Sequence, residues 1–520
     1  MMIALLNVSL FFLLIYCYRR VRHGYHILQL ENYYNDRYAH WMRLNLKKVL
    51  DIKSIILFIF PIVLVYMGEE KIALIAEIIV LIVLSLLFRR SKEKKAFVVT
   101  ARIKRMYITN LIMFFIIGLL LNTLDLKVMI IAINVVAILS YVLVYLTNLI
   151  NRPIENAIRA KFARRAKKAL KGIPNLKVIG ITGSYGKTST KYAVNTILSQ
   201  KYNTLMTPES YNTTMGVVRT INEKLSPMHQ LFICEMGAKY IGDIKEITDI
   251  VEPTYGILTA IGPQHLDTFK TLENVSKAKL ELVDSLPDDG VAFVNWEDEN
   301  IRKVKFTKKI VKYGLNSKAD YYATNIEITE RGSVFDVVLK GKDKISIKTK
   351  LLGKLNILNI VAAIAVGDYL GLSEEEIKTG VKFLRPVKHR LEMKQNPNGS
   401  ITIDDAYNSN VRGASMALEV LKNFKGRNRI LITPGIVELG DKGTEYNKEF
   451  GKEAAQSADF IILVGAKQAV PIYEGIKAKK YPQSKVYIAE NLDEALKKMN
   501  EIMDGNSVIL FENDLPDNYL

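Results

Sequence analysis

Five apolar runs fill the first 150 residues, at about 2–18, 53–67, 72–88, 108–121 and 128–149. Several are short of the roughly 20 residues that a bilayer core requires, and flanking aromatic and Lys/Arg side chains extend them. The pattern predicts membrane helices over 1–150; a buried helical bundle is the other reading. The first run, "MMIALLNVSLFFLLIYCYRR", has its positive charges after the apolar stretch, the reverse of a cleaved signal peptide. From about residue 175 the pattern changes to short apolar segments alternating with amphipathic ones, which predicts an α/β region with parallel strands. "LKVIGITGSYGKTSTKYAVNTILSQ" reads as a strand over 176–181, a Gly-containing turn and a helix beginning near Lys187. A β-rich stretch follows at 291–350, and beyond 385 "GSITIDDA", "NRILITP", "DFIILVGA", "KVYIAE" and "SVILFEN" read as further strands. The expected organisation is a helical membrane region at 1–150, a basic juxtamembrane linker at 151–174, and two soluble domains at 175–384 and 385–520.

Charge assigns a topology. The net charge is +19, and three segments hold the whole excess: 19–50 has 7 basic against 2 acidic residues, 89–105 has 8 against 1, and 151–171 has 8 against 1. They alternate with the short connections "GEEK" (68–71) and "NTLDLK" (122–127). All three basic segments therefore fall on one side, which the positive-inside rule makes cytoplasmic. Five spans put residues 151–520 in the cytoplasm of a multi-pass membrane protein. No basic groove remains in the soluble part, so nucleic acid is not an expected partner. Residues 151–171, with Ile154, Ile158 and Phe162 spaced by four, read as a helix on anionic lipid or as a solvated linker helix. Glu77, inside the third run, is either a functional intramembrane carboxylate or a residue reaching the interface. Cys17 and Cys234 are the only cysteines, too few for a disulfide framework or a thiolate metal site.

The chemistry begins at "GITGSYGKTST" (180–190). The usual phosphate loop has four residues between its first Gly and the Gly-Lys pair; here Ile181 stands where that first Gly would be, leaving the tighter Gly183-Ser184-Tyr185-Gly186-Lys187-Thr188. In a strand-turn-helix setting, backbone N–H groups face an anion, Lys187 neutralises it and the Thr188 hydroxyl can reach Mg²⁺. "LFICEMGA" ends a strand at Glu235, "YGILTAIGPQHLD" leads to His265, and "VSKAKLELV" carries Lys279 on a helix. Singly these read equally as a strand-end acid, a loop histidine and a solvated lysine. Together they supply carboxylate and imidazole for a divalent ion at the C-terminal ends of strands.

In that order these motifs resemble the Mur ligases, ATP-dependent amide-forming enzymes of peptidoglycan assembly. Further strings carry the resemblance: "TPESYNTTMG" (207–216), "GKLNILNIVAA" (353–363), "KHRLE" (388–392), "IDDAYNSN" (403–410) and "TPGIVELGD" (433–441). The Asp-Asp-x-Tyr-Asn-x-Asn string is most similar to the branch that adds D-alanyl-D-alanine to UDP-N-acetylmuramoyl-tripeptide. The resemblance implies a central P-loop ATPase domain and a C-terminal Rossmann-like domain. It implies that Gly183, Ser184, Gly186, Lys187, Thr188 and Ser189 hold the ATP phosphates, and that Thr188, Glu235, His265 and Lys279 surround two Mg²⁺ ions, with Lys279 as a carbamate. It further implies that Asn356 and Asn359 face the adenine, Arg390 the γ-phosphate and Asp405 the ribose. Ser210, Asn212, Thr213, Tyr407 and Asn408 fall to the acceptor side. Lys187, His265, Lys279 and Arg390 are the implied catalytic set.

Such an enzyme phosphorylates a carboxylate and lets an amine displace the phosphate. The expected partners are a nucleotide- or lipid-linked envelope precursor, an amino acid or dipeptide, membrane lipid and cell-wall assembly proteins. Two departures bear on substrate: membrane runs replace the UDP-sugar-binding domain with which soluble relatives begin, and the ending "VILFENDLPDNYL" differs from that branch. The alternatives are a polyglutamate or folylpolyglutamate-like synthase and a non-ligase membrane ATPase.

Overall fold

The computed structural model describes residues 2–88, 96–407 and 410–514, with every side chain in those stretches except that of Lys467. The described residues form two compact units that divide between 160 and 161.

The N-terminal unit is helical, and so are the apolar runs, the last of them split between two helices. Among the described residues three helical stretches are long and apolar enough to cross a membrane: Met2–Leu30, Leu46–Tyr66 and Ala101–Leu121. A fourth exists only if Leu126–Ile138 and Ser140–Lys171, bent by 71°, count as one. This is fewer than the five spans expected. The run at 72–88 lies in helix Glu70–Leu87, whose 18 residues include Glu70, Lys71 and Glu77, and the run at 128–149 is broken at the bend. The basic segment 19–50 is itself largely helical: the first helix continues to Leu30, and Asn35–Leu44 is helical. The expected boundary at 150 falls inside the helix Ser140–Lys171.

This unit is apolar outside as well as inside. Leu13, Phe58, Leu81 and Ile133 pack in its core, while Phe115 is 67% and Leu86 73% exposed. One buried cation is fully engaged: Arg20, 1% exposed, donates to Ser140 Oγ at 2.7 Å, to Tyr16 Oη at 3.2 Å and to the Val49 carbonyl, with Asp51 3.6 Å away. A buried cation needs such partners, because one without them is costly. Glu77 is fully buried inside the unit, with neither carboxylate oxygen in a directed hydrogen bond.

The second unit holds two sheets. Strands β1 (Lys177–Thr182), β2 (Thr204–Met206), β3 (Leu231–Glu235), β4 (Tyr255–Leu258), β5 (Val291–Asn295), β6 (Lys309–Gly314), β7 (Tyr321–Thr329), β8 (Gly332–Val338) and β9 (Lys344–Thr349) form one sheet in the order β2-β3-β1-β4-β5-β6-β7-β8-β9. It is parallel through β7 and antiparallel from β7 to β9. The β-rich stretch therefore extends the nucleotide sheet. Strand β1 lies between β3 and β4, where the chain order reverses, and ligands gather in the crevice at the strand ends of such a point. Register sets the positions: Ile181 pairs with Glu235 and Thr182 with Leu258, so the ends of β1, β3 and β4 are level.

The second sheet comprises β10 (Glu392–Gln395), β11 (Ile401–Asp405), β12 (Asn428–Thr433), β13 (Phe460–Val464), β14 (Val486–Ala489) and β15 (Ser507–Glu512), in the order β10-β11-β15-β12-β13-β14. The five strands read from the sequence are parallel, and β10, which the short "EMKQ" does not announce, adds antiparallel to β11.

Candidate active site

The segment just beyond β4 packs closely against the loop after β1. Gly183 has φ +150°, and a Cβ there would lie 2.1 Å from Thr259 Oγ1 and 2.7 Å from the Ala260 amide nitrogen. Gly186 has φ +81°, left-handed backbone that side chains resist, and its Cβ would come 3.0 Å from Asn359 Oδ1. The helix Lys187–Leu198 starts directly after it, so its first amides face the loop. Ser184 is committed elsewhere: its amide donates to the Ala260 carbonyl and its hydroxyl to the Gly262 carbonyl, each at 2.9 Å.

Cations crowd this end of the sheet. Lys187 donates to the Gly183 carbonyl at 2.6 Å, and burial pushes its ammonium down to about 8, with Glu235 opposing the shift and Arg390 adding to it. Lys279, 1% exposed on helix Leu272–Asp284, is pushed well below the usual lysine range by burial and by the charge of Lys187, with Asp243 and Glu281 opposing. Positive groups that disfavour one another's charge are stabilised together by an anion.

Glu235 organises the other side. Its Oε1 accepts from Thr188 Oγ1 at 3.1 Å and from Asn212 Nδ2 at 3.0 Å, while Oε2 lies 3.0 Å from Lys191 Nζ. Lys191 also donates to the Glu209 carbonyl, so one buried ammonium ties the 207–213 loop to the carboxylate. Lys191 and Glu235 are 0% and 1% exposed, and removing one partner of such a pair leaves an uncompensated buried charge. Lys191→Met is expected to destabilise the catalytic unit by about 3–5 kcal/mol, read as a lower thermal midpoint, with Mg²⁺ restoring part of the loss. An unchanged midpoint would remove Lys191 from this role.

Of the residues assigned to the acceptor, Asn212 serves Glu235, and Thr213 caps helix Thr214–Lys224 by accepting from the Gly216 amide at 3.3 Å. Ser210 and Tyr407 line a cavity of about 570 Å³, together with Thr188, Ser189, Asn356, Asn359 and Arg390. Asn408 lies outside the described residues. Asn356 Nδ2 donates to the Leu352 carbonyl at 2.8 Å. Asn359 Oδ1 accepts from Thr190 Oγ1 at 3.0 Å, which leaves its buried Nδ2 without a partner at the cavity wall. An orphaned amide N–H costs roughly 1–3 kcal/mol and is satisfied by a ligand acceptor such as a purine nitrogen. Arg390 lies over the Tyr407 ring at 4.6 Å. Asp405 accepts from the Leu391 amide at 3.1 Å; burial raises its carboxyl to about 6, with the Arg390 charge opposing.

His265 follows β4 with φ +51°, and its Nδ1 meets Glu438 Oε2. Glu438 Oε1 takes Lys239 Nζ at 3.0 Å. Burial pushes the imidazole below its usual value, while Glu438, despite its own burial, is held down to about 2 by His265 and Lys239. Sequence reasoning passed over Lys191 and Glu438. Each sits in a quoted string, but a helix lysine and a loop glutamate read as solvated charges until the fold buries them.

The "Mur ligase middle domain" matches residues 181–367 and the "Mur ligase, glutamate ligase domain" residues 389–512. The UDP-N-acetylmuramoyl-tripeptide–D-alanyl-D-alanine ligase of Escherichia coli K12 is 32% identical over 56% of this chain and 64% of its own length. The Haemophilus influenzae protein of the same name is 30% identical over 59% of this chain and 67% of its own. A crystal structure of MurF from Acinetobacter baumannii superposes with a TM-score of 0.63 at 27% identity, covering 69% of this chain and 78% of that one. The chain thus spans just under two thirds of the E. coli relative.

Proposed function

Because this chain is a member of the Mur ligase family, we propose that it is a membrane-anchored, ATP-dependent ligase that adds an amino acid or dipeptide to a peptidoglycan-type precursor. The carrying observation is the cleft lined by Thr188, Ser189, Asn356, Asn359 and Arg390, with an orphaned amide at its wall, next to the buried Lys187, whose charge that of Arg390 disfavours. In the proposed reaction a carboxylate oxygen of the acceptor attacks the γ-phosphorus and ADP leaves. The amine then attacks the acyl carbon, inorganic phosphate leaves and the nitrogen loses a proton. Two anions must approach each other in the first step, and Lys187 and Arg390 lower that barrier by neutralising them. The loop glycines and the Asn pair hold the nucleotide in line, the alignment that makes the step effectively intramolecular.

Thr188, Glu235 and His265 would hold Mg²⁺. Hydroxyl, carboxylate and imidazole suit that ion, and Glu235 Oε2 has an ionic neighbour but no directed hydrogen bond. The bound ion supplies charge neutralisation for the polyphosphate. Lys279 would serve the same ions as a carbamate, which turns a repelled cation into an anionic oxygen ligand.

The acceptor reading rests on the apolar exterior of the N-terminal unit and the unbroken helix Ser140–Lys171 leading into the catalytic unit. A chain so tethered works at the cytoplasmic leaflet, and its acceptor is a lipid-linked precursor. The test uses full-length protein in nanodiscs with ATP, Mg²⁺, D-alanyl-D-alanine or single amino acids, and either UDP-linked or lipid-linked peptide. Amine-dependent ADP release matched by new amide, faster on the lipid-linked peptide, is expected. Amine-independent hydrolysis would sink the ligase reading. Equal turnover of the UDP-linked peptide, in detergent and in nanodiscs alike, would leave the helices as a tether only.

A further inference from the structure

Glu438 lies on the loop that follows β12, in "TPGIVELGD", and adopts φ +61°, a left-handed conformation that a glutamate takes only when its surroundings hold it there. Its two carboxylate oxygens reach across to the nucleotide sheet. One meets Lys239 Nζ, just beyond β3, at 3.0 Å, and the other meets Nδ1 of His265, beyond β4. Strands β3 and β4 flank the phosphate-loop strand, so this carboxylate bridges both edges of the crevice from the C-terminal sheet. Two non-glycine residues in left-handed backbone, His265 and Glu438, meet side chain to side chain.

His265 Nδ1 faces Glu438 Oε2 in an ion-pair contact rather than a directed hydrogen bond; a carboxylate on that side favours the proton on Nδ1 and leaves the lone pair on Nε2, the form that binds a metal ion. Carboxylate partners of this kind fix the tautomer and orientation of ligating histidines, and their loss typically weakens metal affinity by 10–100-fold. We propose that Glu438 is a positioning residue that readies His265 for the divalent ion, so that the C-terminal domain completes the metal site of the central domain. The inference rests on the proposed reading of His265 as a metal ligand. It adds a route by which docking of one domain controls the metal affinity of the other. Lys239 has a supporting part: it keeps the second oxygen of Glu438 occupied, so that the carboxylate faces the ring with the first.

The test titrates Mn²⁺, as a paramagnetic stand-in for Mg²⁺, into the full-length chain by electron paramagnetic resonance with and without ADP, alongside calorimetric ADP binding in the absence of metal. Metal-dependent ADP binding by the unsubstituted protein establishes the underlying reading separately; its failure would remove that reading first. Given that, Glu438→Gln is expected to weaken Mn²⁺ binding by 10–100-fold and to leave metal-free ADP affinity within twofold. Glu438→Asp should recover part of the loss. In a His265→Ala background Glu438→Gln should have no further effect on Mn²⁺. Unchanged Mn²⁺ affinity in Glu438→Gln overturns the inference. So does an equal loss of metal-free ADP binding, or an undiminished effect without His265, since a merely structural glutamate would behave that way.

Discussion

Lys187→Met is expected to lower ATP-dependent ligation by about 10²–10³-fold, the loss typical when one electrostatic contact to a developing anion is removed. The pH dependence of the unsubstituted protein carries a sharper sign. Burial holds the Lys187 ammonium down to about 8 in the free protein, against 10.5 for an ordinary lysine. A bound polyphosphate favours the charged form, so above pH 8 binding must take up a proton that the empty site has released. Nucleotide affinity should therefore fall as pH rises beyond about 8, by up to about tenfold per unit. Stability runs the other way. Because the folded value lies below the unfolded one, the cost of the buried charge is present in full below pH 8 and is relieved between 8 and 10.5, where the unfolded chain binds more protons. Calorimetric nucleotide binding and thermal midpoints across that window should show opposite slopes, and Lys187→Met should flatten both. Parallel slopes, or turnover within threefold of the unsubstituted protein, would remove Lys187 from the phosphate site.

Lys279→Ala is expected to cost on the order of 10²-fold in ligation and to regain part of it when formate or acetate is supplied. The ammonium is 1% exposed and shares its surroundings with Lys187. Burial and that neighbour favour the neutral amine, the species that adds CO₂; the nitrogen attacks the carbon, a proton departs and a carbamate anion results. An anion there relieves the repulsion that the cation suffers, and a small carboxylate can occupy the space left by the truncated side chain. Native mass spectrometry should find one CO₂ adduct per chain, lost on bicarbonate depletion together with activity. Near-normal turnover of Lys279→Ala, with no adduct on the unsubstituted protein, would leave Lys279 a buried structural amine.

Much of the catalytic unit was legible from local pattern. Strand β1, the turn after it and the helix from Lys187 follow from an apolar run, two glycines and a change of period, all within 25 residues. The five parallel strands of the second sheet announced themselves in the same way, whereas β10, a four-residue edge strand in which Met393 alone is apolar, had too short an alternation to give it away. The apolar runs of the first 150 residues were equally plain, but their number as spans was not. Composition alone does not disclose that the helix of the third run spans only Glu70–Leu87 and so includes Glu70, Lys71 and Glu77, or that the last run is broken by a 71° bend.

What the sequence determined by itself is what neighbouring residues enforce on one another: the periods of strand and helix, the left-handed glycines of the phosphate loop, and the sign and placement of charge. What only the tertiary structure decided is which distant groups face each other. The reversal of strand order at β1 sets Glu235 beside the loop, turns Lys191 inward to meet it, and draws Asn212 onto the same carboxylate. Docking of the second sheet brings Glu438 to His265 across 173 positions of chain. Burial then makes these polar groups consequential. A lysine or glutamate that water would screen becomes, with its solvent removed, a charge that must have a partner, and the identity of that partner is a property of the fold.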